Sequence, residues 1–153
     1  VCGNRRSAAN EEDHVHKIIY ASRATRPISD ADLEAILEAS RRHNTEAGLS
    51  GLLVYCAESF LQILEGELEP LNATYERIRA DDRHTDLRRL VFAPIEFRKF
   101  GDWTMGFEHL DEDRLVASAP GFRAETRYPL VSSDLITNGT VAETLLSLYA
   151  TNA

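Results

Sequence analysis

The sequence predicts an α+β sandwich, and three observations carry that expectation. A β-branched and aromatic run, Lys17-Ile18-Ile19-Tyr20-Ala21, reads as a buried strand near the start. Two more apolar runs, Leu52 to Tyr55 and Phe60 to Leu64, stand only Cys56 to Ser59 apart, which is a hairpin. Stretches with apolar residues at helical spacing lie on either side of that hairpin.

Taken in order, residues 1–15 are polar and read as a disordered leader before the first strand. Pro27 and Ser29 mark a helix start. Ser29 with Asp32 resembles a capping box, in which the hydroxyl takes a free backbone N–H and the acid answers the helix dipole. Leu33, Ile36, Leu37 and Ser40 continue the helix to about residue 45, and Gly48 ends it. The hairpin follows, closed by Gly66. Pro70 falls in a first helical turn, where its missing N–H is tolerated. Leu71, Tyr75 and Ile78 then give a second helix over 69–81. A strand is expected over Leu90 to Phe97, with Pro94 making it an edge or bulged strand. After a loop from Arg98 to Asp102, a last strand is expected over Trp103 to Phe107. The order β-α-β-β-α-β-β is the ferredoxin-like plan, with both helices on one sheet face. The other face needs a cover, which additional C-terminal helices supply. Val141, Leu145, Leu148 and Tyr149 fall on one side of a helix expected over 139–151. The organisation read from this is a leader (1–15), a domain (16–110) and a helical extension packed on the sheet (111–153).

Composition narrows the function. A chain of 153 residues makes one domain with a short extension. The net charge of −8 argues against nonspecific nucleic-acid binding, which needs a basic surface. No run approaches the roughly 20 apolar residues of a membrane span. No secretory signal precedes the domain, so a cytoplasmic protein is expected. Cys2 and Cys56 make no disulfide framework. There is no CxxC, HExxH, Walker loop or GxGxxG, and no metal is expected. His14 and His16 read as part of the solvated leader.

Polar residues interrupt the expected core. Asn44 lies eleven positions after Leu33, about three full turns, and so shares the inward face. A carboxamide buried without partners costs about 1–3 kcal/mol, although Asn is also common at helix C-termini. Gln62 stands between Phe60 and Leu64 in the middle of an apolar strand. It must meet a side chain, a water or a flat polar ligand. Tyr20 needs a hydroxyl partner when buried, and a ferredoxin-like order sets the first and third strands side by side, where Tyr20 and Gln62 become neighbours. Trp103 and Met105 share a face of the last strand. Arg77, Asp81, Arg83 and His84 form either a solvated turn or a clamp on a polar ligand. His43 beside Asn44 and His84 beside Asp82 are the only acid/base candidates. Neither makes a catalytic constellation, so an enzyme is not expected.

These residues bring a family into view. The segment His16 to Leu110 resembles the BLUF domain, a flavin-using blue-light sensor. The matching text is Ile18-Ile19-Tyr20-Ala21-Ser22, His43-Asn44, Gly48-Leu49-Ser50-Gly51-Leu52-Leu53, Phe60-Leu61-Gln62-Ile63-Leu64-Glu65-Gly66, Asp82-Arg83-His84 and Arg98-Lys99-Phe100-Gly101-Asp102-Trp103-Thr104-Met105-Gly106. The resemblance implies noncovalent FAD, with FMN as the alternative, between the helices at 30–45 and 69–81. It implies that Asn44, Gln62 and Tyr20 address the flavin, with Arg77, Asp81, Arg83 and His84 near its pyrimidine edge and tail. Tyr20 and Gln62 would be the photoactive pair, and Trp103 and Met105 the relay. It implies a short stand-alone BLUF photoreceptor, or a sensor cut from a larger chain, acting on a downstream effector protein as a homodimer or larger homo-oligomer. A small enzyme on the same fold, flavin-dependent or not, is the alternative reading.

Overall fold

The computed structural model describes residues 15–111, 113, 114, 130 and 139–150. The leader expected over 1–15 therefore lies outside the described residues, except Val15, which opens the first strand. His14 lies outside them too. His16 belongs to the sheet.

Strand β1 (Val15–Ala24) leads to helix α1 (Asp30–Ala47). Ser29 caps α1 as expected: its Oγ accepts the Asp32 N–H at 3.1 Å, and the Asp32 carboxylate accepts the Ser29 N–H at 3.4 Å. Gly48 ends it in the left-handed conformation at φ 69°, which glycine adopts without a Cβ penalty. The hairpin is β2 (Ser50–Cys56) and β3 (Ser59–Glu67). Its two-residue turn puts both Ala57 (φ 46°) and Glu58 (φ 61°) in the left-handed region, matching the right-handed twist of the strands. Helix α2 (Leu68–Arg79) follows, then β4 (His84–Pro94), β5 (Gly106–His109) and α3 (Gly139–Ala150).

The sheet order is β4-β1-β3-β2-β5. All neighbours are antiparallel except β2 and β5. The first and third strands share the centre, and Tyr20 faces Gln62 across the ladder. The period of two divides the core cleanly. On one face Ile18, Tyr20, Leu53 and Leu64 pack with Leu33 and Leu37 of α1 and Leu71 and Tyr75 of α2. On the other, Ile19, Ala21, Leu61 and Ile63 pack with Ala142, Leu145 and Leu146 of α3. The C-terminal helix covers that second face, as expected from Leu145. The side chains of Val141, Leu148 and Tyr149 lie outside the described residues.

The bounds of three elements differ from expectation. The second helix stops at Arg79 instead of 81. Strand β4 begins at His84, not Leu90, and ends at Pro94, not Phe97. It follows β1 along its whole length as the edge strand, with register shifts after Ile19 and Ala21 and Asp86 at φ 54°. His16 pairs Pro94, and beyond it β1 has almost no residues left to pair. The last strand covers 106–109 instead of 103–107. The backbone carbonyls of 103–105 are taken by other partners: Trp103 O by the Gly51 N–H at 3.0 Å, Thr104 O by Asn44 Nδ2 at 2.6 Å, and Met105 O by Arg41 Nε at 3.0 Å.

Candidate functional site

The face beneath α1 and α2 is the polar one. Tyr20, Gln62 and Met105 are all nearly fully buried there. The Tyr20 hydroxyl donates to Gln62 Oε1, and Gln62 Nε2 donates to Met105 Sδ at 3.4 Å. One carboxamide thus bridges a phenol and a thioether. A thioether is a weak acceptor, so the amide N–H end is held loosely. Burial, with smaller contributions from Tyr75 and Asp81, drives the Tyr20 phenol far above the usual tyrosine range. Its proton stays in place in the ground state.

Asn44 projects from the last turns of α1 at 2% exposure. Its Nδ2 is used on Thr104 O, while its Oδ1 accepts nothing among the described residues. A buried acceptor left this way is costly, and Asn44 lines a cavity. Next to it His43 joins the two helices: Nε2 meets Thr74 Oγ1 at 2.8 Å, and Nδ1 accepts from Arg77 Nη1 at 2.5 Å. Burial first, and the Arg77 charge second, hold this imidazole below the ordinary histidine pKa.

At the other end His84 is fixed by Ser22 Oγ at Nδ1 (2.8 Å) and by Ile78 O at Nε2 (2.5 Å). A carbonyl only accepts, so Nε2 carries the proton. The ring lies 6.1 Å from the Tyr20 ring, edge to face. Arg83 hydrogen-bonds Asp81 through Nε and Nη2, and this holds the Asp81 carboxyl below the usual carboxylate range.

Between these ends two adjoining cavities open toward solvent. They share Ile36, Ser40, Gln62, Ile78, Asp81 and Arg83. Tyr20 and His84 line one, and His43, Asn44 and Arg77 the other.

Of the residues singled out in the sequence, the structure brings together Tyr20, Asn44, Gln62, Arg77, Asp81, Arg83, His84 and Met105. Trp103 is the correction. It was expected beside Met105 on one strand face, but the two lie on opposite faces of the sheet. Met105 joins the core beneath α1 and α2, whereas the Trp103 indole packs with Phe100 (centroids 5.8 Å apart) on the α3 side, against Gly106. Residues 103–105 are not a ladder strand, so the alternation that would align them does not operate. Sequence reading missed Arg41 and Thr74 as partners. Arg41 stands three residues before Asn44 on a helix, a spacing that places both on one side. Among the described residues no cluster of His, Cys, Asp or Glu could hold a metal, and no helix is long and apolar enough to cross a membrane.

The family model described as "BLUF: Sensors of blue-light using FAD" matches residues 15–106. The chain belongs to the BLUF family. It is similar to the BLUF protein BlrB in its dark state, at 27% identity and a TM-score of 0.71 over 93% of this chain and 99% of that one. It is also similar to BlsA in its photo-activated state, at 26% identity and a TM-score of 0.75 over 89% and 94%. Among curated proteins, the photoactivated adenylate cyclase subunit beta of Euglena longa is 36% identical over 99 residues, which is 64% of this chain and 12% of that protein. The chain thus spans about a tenth of the length of such relatives. The BLUF fold here is the α+β, ferredoxin-like sandwich, and a flavin-binding blue-light sensor is what the family denotes. The residues present fit a flavin. Ile36 and Ile78 give the cavity apolar walls and Asn44 and Gln62 give it carboxamides, a lining whose chemistry suits a flat ring with a polar edge.

Proposed function

We propose that this BLUF domain holds FAD, with FMN as the alternative, in the cavity between α1 and α2, and signals light through the Tyr20–Gln62–Met105 chain. That chain of two hydrogen bonds is the observation that carries the reading. Asn44 Oδ1 and Gln62 Nε2 are the cofactor's polar contacts, and Arg77, Asp81, Arg83 and His84 hold its pyrimidine edge and tail. The bound flavin supplies blue-light absorption and, once excited, a strong one-electron oxidant.

What this chain's residues do follows from their geometry. Tyr20 is a buried electron donor whose phenol proton has one acceptor, Gln62 Oε1. Losing an electron makes that proton acidic, so it moves toward Oε1. A carboxamide has a donor end and an acceptor end. If Gln62 turns over, Nε2 faces Tyr20 and an acceptor oxygen faces the Met105 sulfur, which offers no proton. The Gln62–Met105 bond is then lost, and the 103–105 segment has a second arrangement available. Local hydrogen-bond changes bias such two-state elements. Met105 is the inner end of the relay and Trp103 the outer end, on the opposite face. The output is a contact with a downstream effector protein in the cytoplasm, made by a homodimer or larger homo-oligomer. The chain itself is a sensor, not a catalyst.

The test is an absorption spectrum of the purified, flavin-loaded protein in the dark and after a blue pulse. A red shift of the flavin bands that decays thermally is expected. A flavin spectrum that bleaches or stays fixed under light would sink the reading.

A further inference from the structure

The two central strands carry a second pair of residues. Lys17 of β1 faces Glu65 of β3, three positions from the Tyr20–Gln62 rung. That is about 10 Å along the strands, and the odd offset puts the pair on the opposite face. Glu65 is a carboxylate at 1% exposure that the light chemistry does not use. Its Oε1 accepts the Phe100 N–H at 2.8 Å, and its Oε2 the Lys99 N–H at 3.0 Å. Bonds from backbone N–H to an ionised carboxylate are among the stronger ones. Lys17 reaches α3 instead, pairing with Glu143 at 2.7 Å. Lys99 Nζ meets Ser147 of the same helix at 3.1 Å, and the Phe100 ring packs with Leu145 and Leu146. The turn that leads into Trp103–Met105 is therefore anchored to β3 by Glu65 and pressed on α3 by its own side chains.

We propose that Glu65 and Lys17 are positioning residues that carry the light response from the Tyr20–Gln62 rung to α3. The inference rests on the photochemical reading above. With residues 99 and 100 fixed to β3, a displacement at Met105 has no slack to disappear into. It turns the Phe100–Trp103 pair against Leu145 and Leu146. The Lys17–Glu143 pair keeps α3 on β1, so the helix repacks and stays docked.

Hydrogen exchange of α3 in the flavin-loaded full chain, dark against blue light and alongside the absorption shift, tests this. The wild type is expected to show both the red shift and a light-dependent change in α3 exchange. Glu65→Gln offers the turn one good acceptor instead of two. It should keep the red shift and lose the α3 change by roughly fivefold or more, the low end of coupling between linked sites. Lys17→Met should do the same without touching the buried carboxylate, and it decides the matter if Glu65→Gln fails to fold. An undiminished α3 change in a folded variant, or a red-shifting wild type with no α3 change, overturns the proposal. A wild type with no red shift rejects the photochemical reading, and this inference with it.

Discussion

The two faces of the sheet are made from the same strands and do opposite things. Beneath α1 and α2 the face is interrupted by polar groups: Tyr20 and Gln62 at its centre, Asn44 above them, and a cavity between the helices. Beneath α3 the face is Ile19, Ala21, Leu61 and Ile63, closed against Leu145 and Leu146. Consecutive residues of β1 and β3 alternate between the two. The closed face supplies the rigidity against which a small change on the open face is felt. A strand with a period of two lets stability and the photochemical step itself be altered nearly independently.

That separation can be broken from either side. The largest expected effect is on the open face. Tyr20→Phe removes the hydroxyl that donates to Gln62, so the protein should keep bound flavin and lose the photoshift altogether. A normal shift by difference spectroscopy would return Tyr20 to ordinary core packing. On the closed face, Leu145→Ala should cost about 2–5 kcal/mol of stability by denaturant unfolding, the range for emptying a buried leucine site, while the surviving folded protein still photoshifts. A smaller effect is expected from Asn44→Ala. It removes one polar contact, and flavin affinity measured by fluorescence should fall on the order of tenfold, with the size of the photoshift little changed.

The smallest effect is the pH response of His43. Its folded pKa is depressed by burial and by Arg77, so the unfolded state binds the proton more readily. The stability it contributes is present above the unfolded value near 6.5 and is lost as pH falls through the folded one. Thermal midpoints should therefore decline below about pH 6.5, and His43→Gln should flatten part of that decline. An identical slope in the variant would show that other groups titrate there.

Much of this was legible in the sequence because it depends on local rules. Ser29 and Asp32 announce the start of α1, Gly48 its end, and the gap from Cys56 to Ser59 the hairpin. The neighbourhood of Tyr20 and Gln62 followed once the strand order was assumed, because that order makes β1 and β3 adjacent. What could not be read is set by long-range partners. Trp103, Thr104 and Met105 look like strand residues, yet their carbonyls are claimed by Gly51, Asn44 and Arg41. Trp103 and Met105 consequently part to opposite faces. Glu65 stands in the family-matching string, but its role could not be read there, because its partners are the backbone N–H groups of Lys99 and Phe100, more than thirty residues away.

The hairpin tip has a practical consequence. Ala57 and Glu58 both hold left-handed backbone without being glycine, at a cost of roughly 1–2 kcal/mol each. The Glu58 carbonyl receives the Ala24 N–H at 2.8 Å, and the Ser59 hydroxyl donates to the Cys56 carbonyl, so the corner is held both from the neighbouring strand and across its own base. A glycine at 58 keeps its carbonyl and relaxes the backbone. For anyone wanting a hardier light-responsive part for engineering, the margin is stored at this corner, where it can be drawn on without rewriting the optics.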